Sequence, residues 1–235
     1  MEPILTHEQF EALRRLDTCA AANAIETFNI RLRNEGFANN SIVHSIFPHL
    51  PPMLGYAVTG RIRSATPPIS SSLPPPRTLS FSHRTDWWDY ILTVPAPRVV
   101  VLKDVDSSPG AGAYMGEVHG SICQALGCVG YVTNGAVRDL GAIEPTGFHL
   151  FAGKAAISHS YVHVVDFGEP VEIGGLRVRP GSLLHGDRHG IQVVPKSIAA
   201  QIPEVAARQI EEEQRVINLC KSRDFSLEKL REAVK

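Results

Sequence analysis

Hydrophobic and polar positions along the chain change their spacing several times, and each change marks a predicted element. Near the amino terminus, Thr6 and Gln9 have the form of a capping box, and apolar residues follow at helical spacing. Thr18 is predicted to cap a second, alanine-rich helix that runs to about Arg33, and its small side chains would allow close packing on a sheet or a neighbouring subunit. We expect this amino-terminal arm, residues 1–35, to be too polar for the core and either to clasp a partner subunit or to remain a solvated surface.

The middle of the chain has the strand patterns of an α/β core, predicted over residues 36–196. A β-prone alternating segment at 56–63 leads into a long loop rich in Pro and Ser. The nearly continuous apolar run of 98–105 is typical of a buried parallel strand. A helix at 115–126 and a strand at 129–133 complete a βαβ unit. Short strands separated by turn signals follow at 162–165, 171–173, 176–178, 182–185 and 191–194.

The carboxyl-terminal pattern predicts a second helical arm, residues 197–235. A helix rich in Glu, Gln and Arg covers about 197–222, and Ser226 is the predicted cap of a last short helix. The sequence contains no internal repeat and no tail of disordered composition. We therefore predict a single α/β domain over residues 1–235, with helical arms at both ends.

Composition and charge exclude several classes of function. The 23 Lys and Arg residues against 24 Asp and Glu residues leave a net charge of -1, which gives no reason to expect nucleic acid or an anionic membrane as a partner. The 4 Cys residues form no Cys-x-x-Cys pair. The sequence has neither the pattern of a signal peptide nor an apolar run long enough for a membrane span, so we expect a cytoplasmic protein with reduced thiols.

Glycine residues cluster after two of the predicted strands. Gly116 precedes Glu117, Val118 and His119 at a predicted helix start, where free amide groups and the helix dipole favour an anion such as a carboxylate. Gly135 follows the next strand. Because the carboxyl ends of strands mark the ligand crevice of an open α/β sheet, we expect both clusters at one edge.

Arg138 and Asp139 stand just after the second glycine cluster. Alone, an adjacent Arg and Asp would be interpreted as a surface ion pair, but the flanking glycines and a second acid, Glu117, in the parallel position favour a functional site. Asp139 offers hard oxygen ligands to a divalent ion of the Mg²⁺ type. Arg138 offers a planar set of donors to a substrate carboxylate or an enolate oxygen.

These motifs resemble a known family over about residues 16–200. The matching segments are Val99 to Glu117, Gly130 to Asp139, Gly186-Asp187-x-x-Gly190-Ile191 and Val193-Val194-Pro195. They are similar to the 4-hydroxy-4-methyl-2-oxoglutarate aldolases and the regulator-of-ribonuclease-E-activity-A-like (RraA-like) proteins, long labelled demethylmenaquinone methyltransferases. The resemblance implies a swivelling domain of the β/β/α type. The chain lacks a convincing glycine-rich turn for a methyltransferase cofactor.

The resemblance implies a class II, metal-dependent pyruvate aldolase that also decarboxylates oxaloacetate. Asp139 would hold Mg²⁺ or Mn²⁺, Arg138 would bind the pyruvyl group of a small 2-oxo acid, and the backbone of residues 116–119 would bind its carboxylate. The Glu117 side chain would order the waters around the metal. Members are homotrimers or homohexamers with the site at a subunit interface, which an acid from a neighbour's carboxyl-terminal helix can join. The candidates for that acid are Glu211, Glu212 and Glu213.

Other functions stay open at this point. A non-catalytic regulator that binds an RNA-processing enzyme is one alternative, and another 2-oxo-acid lyase or hydratase is a second. The branch of the family that binds ribonuclease E tends to lack the acid after the Arg, so Asp139 favours an enzyme. A Schiff-base aldolase would need a buried lysine, and nothing in the sequence around Lys154 indicates one.

The sequence departs from the family pattern in two places. Asn134 stands where an Asp is more usual before the Gly, which changes the expected hydrogen bonding of the turn and leaves the metal site intact. Tyr114 and Met115 precede Gly116 where a bulky aromatic residue often stands directly before it. The shape of the substrate pocket, and therefore the physiological substrate, cannot be carried over from the family.

Several histidines invite a metal-binding interpretation. His159 with His163, and His185 with His189, are four residues apart and would share a face of a strand. We prefer turn and surface positions for both pairs. Asp187 is expected to accept hydrogen bonds from its own turn and not to act as a second catalytic acid.

Overall fold

The structure, a computed structural model, describes residues 4–68 and 85–234. The predicted α/β class is confirmed, since a large mixed sheet, a small parallel sheet, a separate hairpin and seven α-helices make up the described part of the chain. Most of the predicted Pro- and Ser-rich loop lies outside the described residues. No described helix is both long enough and apolar enough to cross a membrane.

The elements follow one another in an order close to the predicted one. The helices are α1 (His7–Arg14), α2 (Thr18–Glu26), α3 (Asp86–Leu92), α4 (Glu117–Ala125), α5 (Leu140–Ile143), α6 (Ile202–Lys221) and α7 (Leu227–Ala233), with a 3₁₀ helix at Glu144–Thr146. The first strands are β1 (His44–Ser45), β2 (Met53–Arg63), β3 (Arg98–Asp104), β4 (Ala113–Met115), β5 (Cys128–Val132), β6 (Ala136–Val137), β7 (His149–Ala152) and β8 (Lys154–Ala155). The remaining strands are β9 (His163–Phe167), β10 (Val171–Ile173), β11 (Leu176–Val178), β12 (Leu183–Asp187) and β13 (Gly190–Val194).

The large sheet has the strand order β1-β7-β5-β3-β2-β12-β13, and β9 also pairs with β2. Its centre, β2, β3, β5 and β7, is parallel, while β1, β9, β12 and β13 are antiparallel to their neighbours. The predicted βαβ unit is confirmed by β3, α4 and β5. A crossover between parallel strands places its helix on one face of the sheet.

Strand β3 explains why its sequence is almost continuously apolar. Val100 and Leu102 point into a core that the helices cover, whereas Val99 and Val101 point into a second core beneath the β10–β11 hairpin. Successive side chains of a strand point to opposite faces, so a strand with a core on each face needs apolar residues at every position.

Helix α1 has the predicted cap, but α2 begins and ends differently from the prediction. Thr6 and Gln9 form the capping box. Asp17, not Thr18, is the cap of α2, and its carboxylate accepts a hydrogen bond from the Ala20 amide at 2.7 Å. The helix ends at Glu26, well before the predicted end, because the Thr27 hydroxyl donates to a carbonyl of the last turn and the chain then turns.

The amino-terminal helices belong to the core. The predicted close packing of α2 on a sheet is confirmed, and the expectation that the arm is too polar for the core is wrong. Leu13 of α1 and Ile25 of α2 are fully buried and join the core on the helical face of the sheet. At the carboxyl terminus, Ile202 and Ala206 are the buried residues of α6, and α7 has none. The predicted polar arm is therefore correct only for α7 and the later turns of α6, since small and apolar side chains fix α1 and α2 against the sheet.

The small sheet has the order β4-β6-β8, and its strands are parallel. Along the chain, its strands β4, β6 and β8 follow β3, β5 and β7 of the large sheet. Its presence corrects one expectation: Arg138 does not follow the predicted strand β5 but the two-residue strand β6. The small sheet, not the large one, sets where the candidate residues lie.

The side chain of Asn134 holds the ends of β3 and β5 together. Its Oδ1 accepts from the Asp104 amide at 2.8 Å, and its Nδ2 donates to the Asp104 carbonyl at 2.9 Å. An Asp at this position can only accept, so Asn134 exchanges a pair of hydrogen bonds that the usual family residue cannot form.

We expect Asn134→Asp to lower the free energy of unfolding by about 1 to 3 kcal/mol, because the part-buried Asp104 carbonyl loses its donor. Urea unfolding followed by circular dichroism measures this change. Asn134→Ala serves as the control, because it removes both bonds without adding a carboxylate. If both variants unfold at the same urea concentration as the wild type, the Asn134 side chain does not stabilise the fold.

Candidate active site

The carboxyl ends of the three short parallel strands bring the candidate residues together. Strand β4 leads into Gly116 and Glu117, and its neighbour β6 leads into Arg138 and Asp139. The ladder continues past the strands, since the Arg138 amide donates to the Met115 carbonyl at 2.9 Å. The expectation that both glycine clusters meet at one edge is confirmed, and the edge is that of the small sheet.

Asp139 has an unusual backbone conformation at the start of α5. Its φ of 54° and ψ of 38° lie in the left-handed region, which a residue with a side chain rarely adopts. The Asp139 carbonyl accepts from Ala142 and Ile143, which begins the helix. Strained backbone of this kind clusters at functional sites. The conformation is thus independent support for a special role of the residue.

The Asp139 carboxylate lies between a guanidinium and a helix amide. Arg138 Nε donates to its Oδ1 at 3.1 Å, and the Glu117 amide donates to its Oδ2 at 3.2 Å. A Cβ at Gly116 would lie 2.6 Å from the same Oδ2. Gly116 is therefore required for this close approach, although its extended backbone suits any residue.

The second partner of Arg138 is His159, which no sequence pattern connects with Arg138. Arg138 Nη1 lies 2.9 Å from His159 Nδ1, so the guanidinium is held from two sides. Burial and the Arg138 charge lower the pKa of His159, while the Asp139 charge raises it. Residues 21 positions apart carry no linear signal of this contact, which depends on the path of the loop after β8.

The first turn of α4 has two further amides that follow the Glu117 amide along the chain. The amides of Val118 and His119 have no acceptor inside the helix, because intrahelical bonding begins with the Gly120 amide donating to the Gly116 carbonyl at 2.8 Å. The His119 ring itself is buried against Tyr114, with ring centroids 4.2 Å apart. Burial, helped by His159, lowers the pKa of His119 to about 4.

Other predicted residues lie elsewhere in the chain. Within one chain, α6 with Glu211, Glu212 and Glu213 packs on α1, α2 and α7, so their predicted role in a neighbour's site stays a prediction. His163 Nδ1 lies 2.8 Å from the Tyr161 carbonyl, not beside His159. Asp187 accepts from the His189 amide of its own turn at 2.8 Å, as predicted, and also from the Thr18 amide at 2.8 Å.

The residues present fit a water-rich divalent ion. No group of three or more His, Cys, Asp or Glu side chains gathers around one point in residues 4–68 and 85–234. Mg²⁺ does not need such a group, since it takes one or two carboxylates and keeps several waters. Asp139 offers a part-exposed carboxylate, and Gly116 leaves the space beside it that a side chain would fill.

The chain belongs to the RraA-like family, described as Aldolase/RraA, which matches residues 18–193. A relative from Halalkalibacterium halodurans named "Putative 4-hydroxy-4-methyl-2-oxoglutarate aldolase" is 30% identical over 89 residues. That match covers 37% of this chain and 42% of the relative, which is less than half of each.

Solved structures confirm the fold. An uncharacterised protein of Pseudomonas syringae pv. tomato matches with a TM-score of 0.72 and 22% identity, over 97% of this chain and 94% of that one. Streptomyces coelicolor RraAS2, described as an unusual member of the RNase ES inhibitor RraA protein family, matches with a TM-score of 0.64 and 21% identity, over 89% and 98%. Identities at this level show the shared fold alone.

Proposed function

We propose that this protein is a divalent-metal-dependent lyase that forms or uses the enolate of pyruvate. The substrates we assign are a 4-hydroxy-4-methyl-2-oxoglutarate-type aldol and oxaloacetate. The observation that carries the proposal is the convergence of Asp139, Arg138 and the first amides of α4 at one edge of the small sheet. A hard-oxygen ligand, a cation and free amides form a set suited to a 2-oxo acid.

One intermediate accounts for both reactions. As the C3–C4 bond of the aldol breaks, the 4-hydroxyl group loses its proton to solvent and becomes the carbonyl of a released pyruvate, and the bonding electron pair leaves the enolate of a second pyruvate. Loss of CO₂ from oxaloacetate leaves the same enolate, and one proton taken up at carbon completes pyruvate. Mg²⁺ or Mn²⁺ supplies Lewis-acid stabilisation of the negative charge that develops on the 2-oxo oxygen.

Each residue of the site has a separate task in this proposal. Asp139 holds the divalent ion, with Glu117 ordering its waters. Arg138 donates to the enolate oxygen from Nη2, the nitrogen that contacts neither Asp139 nor His159. The amides of Val118 and His119 bind the substrate carboxylate at the helix start, where the helix dipole favours an anion.

A Schiff-base mechanism fits the structure less well. Such a mechanism needs an amine whose pKa burial has lowered. Lys154, on the strand β8 that pairs with β6, is exposed. The geometry therefore favours metal-assisted over amine-assisted enolate chemistry.

We further propose that the active unit is a homotrimer or homohexamer, in which an acid of a neighbour's α6 completes the site. The exposed side chains of Glu211, Glu212 and Glu213 are available for that contact. A regulator that binds an RNA-processing enzyme is the second candidate function, since the fold also matches RraAS2. A partner that binds equally well after Arg138 and Asp139 are both replaced, together with no turnover, would favour the regulator.

The decisive test of the enzyme proposal is metal removal. We expect pyruvate release from oxaloacetate, measured with lactate dehydrogenase against the metal-only background, to stop with EDTA and return with Mg²⁺ or Mn²⁺. Asp139→Asn should remove the response to metal, because Asn keeps the shape and tolerates the left-handed backbone but has no charge.

Glu172→Ala, which removes an exposed acid on β10, is the matched control and should keep the wild-type response. Unfolding curves show whether each variant is folded. No protein-dependent rate with any divalent ion would refute the enzyme proposal.

A further inference from the structure

The loop after β8 is fixed in place more firmly than an exposed loop requires. The Ala113 amide donates to the Ser158 carbonyl at 3.0 Å, and the Ala156 amide donates to the Val137 carbonyl at 2.9 Å. These bonds connect the loop to both neighbouring strands of the small sheet. A Cβ at Gly112 would overlap the backbone carbonyl of His159, so a glycine is needed there.

The turn after His159 adds two more constraints. Ser160 adopts a left-handed φ of 50°, and its amide donates to Ser158 Oγ at 3.0 Å. The Val162 amide donates to the His159 carbonyl at 3.1 Å. A strained backbone conformation persists only where the surrounding structure fixes it. The strain at Ser160 therefore indicates that the loop holds His159 in a fixed position.

What this loop presents to the site is one imidazole edge. The loop after β8 thus brings His159 to the edge of the small sheet where β4 leads into Glu117 and β6 leads into Arg138. Arg138 Nη1 lies 2.9 Å from His159 Nδ1 and 3.2 Å from His159 Nε2. A guanidinium can only donate, so the imidazole nitrogen that accepts from it carries no proton and the ring is neutral. Because Arg138 Nε donates to Asp139, Nη2 is the nitrogen of Arg138 that remains available to a substrate.

We infer that His159 is a positioning residue for substrate binding: its imidazole fixes the Arg138 guanidinium so that the Nη2 edge faces the 2-oxo acid. The inference rests on the proposed function, since it assigns a substrate-binding task to Arg138. A guanidinium held at two nitrogens loses less conformational freedom when an anion binds. His159 therefore acts on substrate affinity, through Arg138, and takes no part in bond cleavage.

The first experiment compares three variants in the pyruvate-release assay. His159→Ala should raise the KM for oxaloacetate about tenfold while kcat changes less, because a mobile Arg138 guanidinium is ordered when the substrate binds and its donors then still reach the enolate oxygen. His159→Asn, whose Oδ1 can accept near the position of Nδ1, should recover most of the loss. His163→Ala is the matched control outside the contact and should keep the wild-type KM.

The second experiment reads the contact without turnover. The pKa of His159, followed by NMR of the imidazole, should rise in Arg138→Ala, because the neighbouring positive charge lowers it in the wild type. The charges facing the ring are Arg138 and Asp139, and His119 is the neighbouring titratable group.

The two experiments separate failure of the inference from failure of the proposed function. An active enzyme whose KM is unchanged by His159→Ala overturns the inference and leaves the function standing. An inactive wild type overturns the function, and the NMR titration still judges the contact. A His159 pKa that Arg138→Ala leaves unchanged overturns the inference in either case.

Discussion

Arg138→Ala is expected to lower kcat/KM for pyruvate release from oxaloacetate by about 100-fold to 1000-fold, the usual effect of losing one donor to a developing oxyanion. The guanidinium is held by Asp139 at 3.1 Å and by His159 at 2.9 Å, so its remaining donors have a fixed direction. Arg138→Lys should lose nearly as much. An ammonium group keeps the charge but cannot bond to the carboxylate, the imidazole and a substrate with the same planar geometry.

Arg188→Ala provides the matched control, because it removes an exposed arginine in the turn between β12 and β13. Its activity should equal that of the wild type, and all three variants should unfold at similar urea concentrations. If Arg138→Ala retained full activity while the wild type was active and metal-dependent, Arg138 would have no part in stabilising the enolate.

The protein is expected to lose stability between pH 6.5 and pH 4 through its buried histidines. Burial lowers the pKa of both His119 and His149 to about 4, and burial also lowers the pKa of His185. The unfolded chain takes up these protons below pH 6.5 while the folded chain does not, so unfolding is favoured as the pH falls. For His119 and His149 the loss reaches about 3 kcal/mol each at pH 4.

Urea unfolding at a series of pH values measures this loss. His149→Gln should remove its share of the pH dependence whatever it does to the stability at pH 7.5, because Gln does not titrate. His44→Gln is the control at an exposed position of β1. The same slope in wild type and His149→Gln would show that the ring is already solvated in the folded state.

The sequence predicts six of the eight strands of the large sheet, because those strands have strong patterns, and misses β1 and β7. The run of apolar residues in β3 is explained by the two cores, one on each face of the strand. Helix α4 and strand β5 complete the predicted βαβ unit. The end of α2 is predicted wrongly because helical pattern continues past Glu26, while a hydroxyl and a turn end the helix locally. The burial of α1 and α2 could not be seen from their average polarity.

The candidate site is predicted in its parts but not in its construction. Gly116, Arg138 and Asp139 stand out from the residues alone, because glycines and a charged pair follow strands. The small sheet could not be predicted from the sequence, because strands of two or three residues are too short to have a periodic pattern. His159 is missed for the same reason: only the pairing of β8 with β6 brings its loop to Arg138.

At Asp139, the left-handed backbone favours a glycine, whereas the proposed chemistry needs a carboxylate at the same position. Glycine would adopt this conformation without strain, and replacing the Asp by Gly would favour folding at this point of the chain. It would also remove the carboxylate that Arg138 and the Glu117 amide hold. Selection for stability alone and selection for the proposed chemistry would thus choose different residues here, so a chain that drifts toward a purely structural role has a direct route to losing its activity.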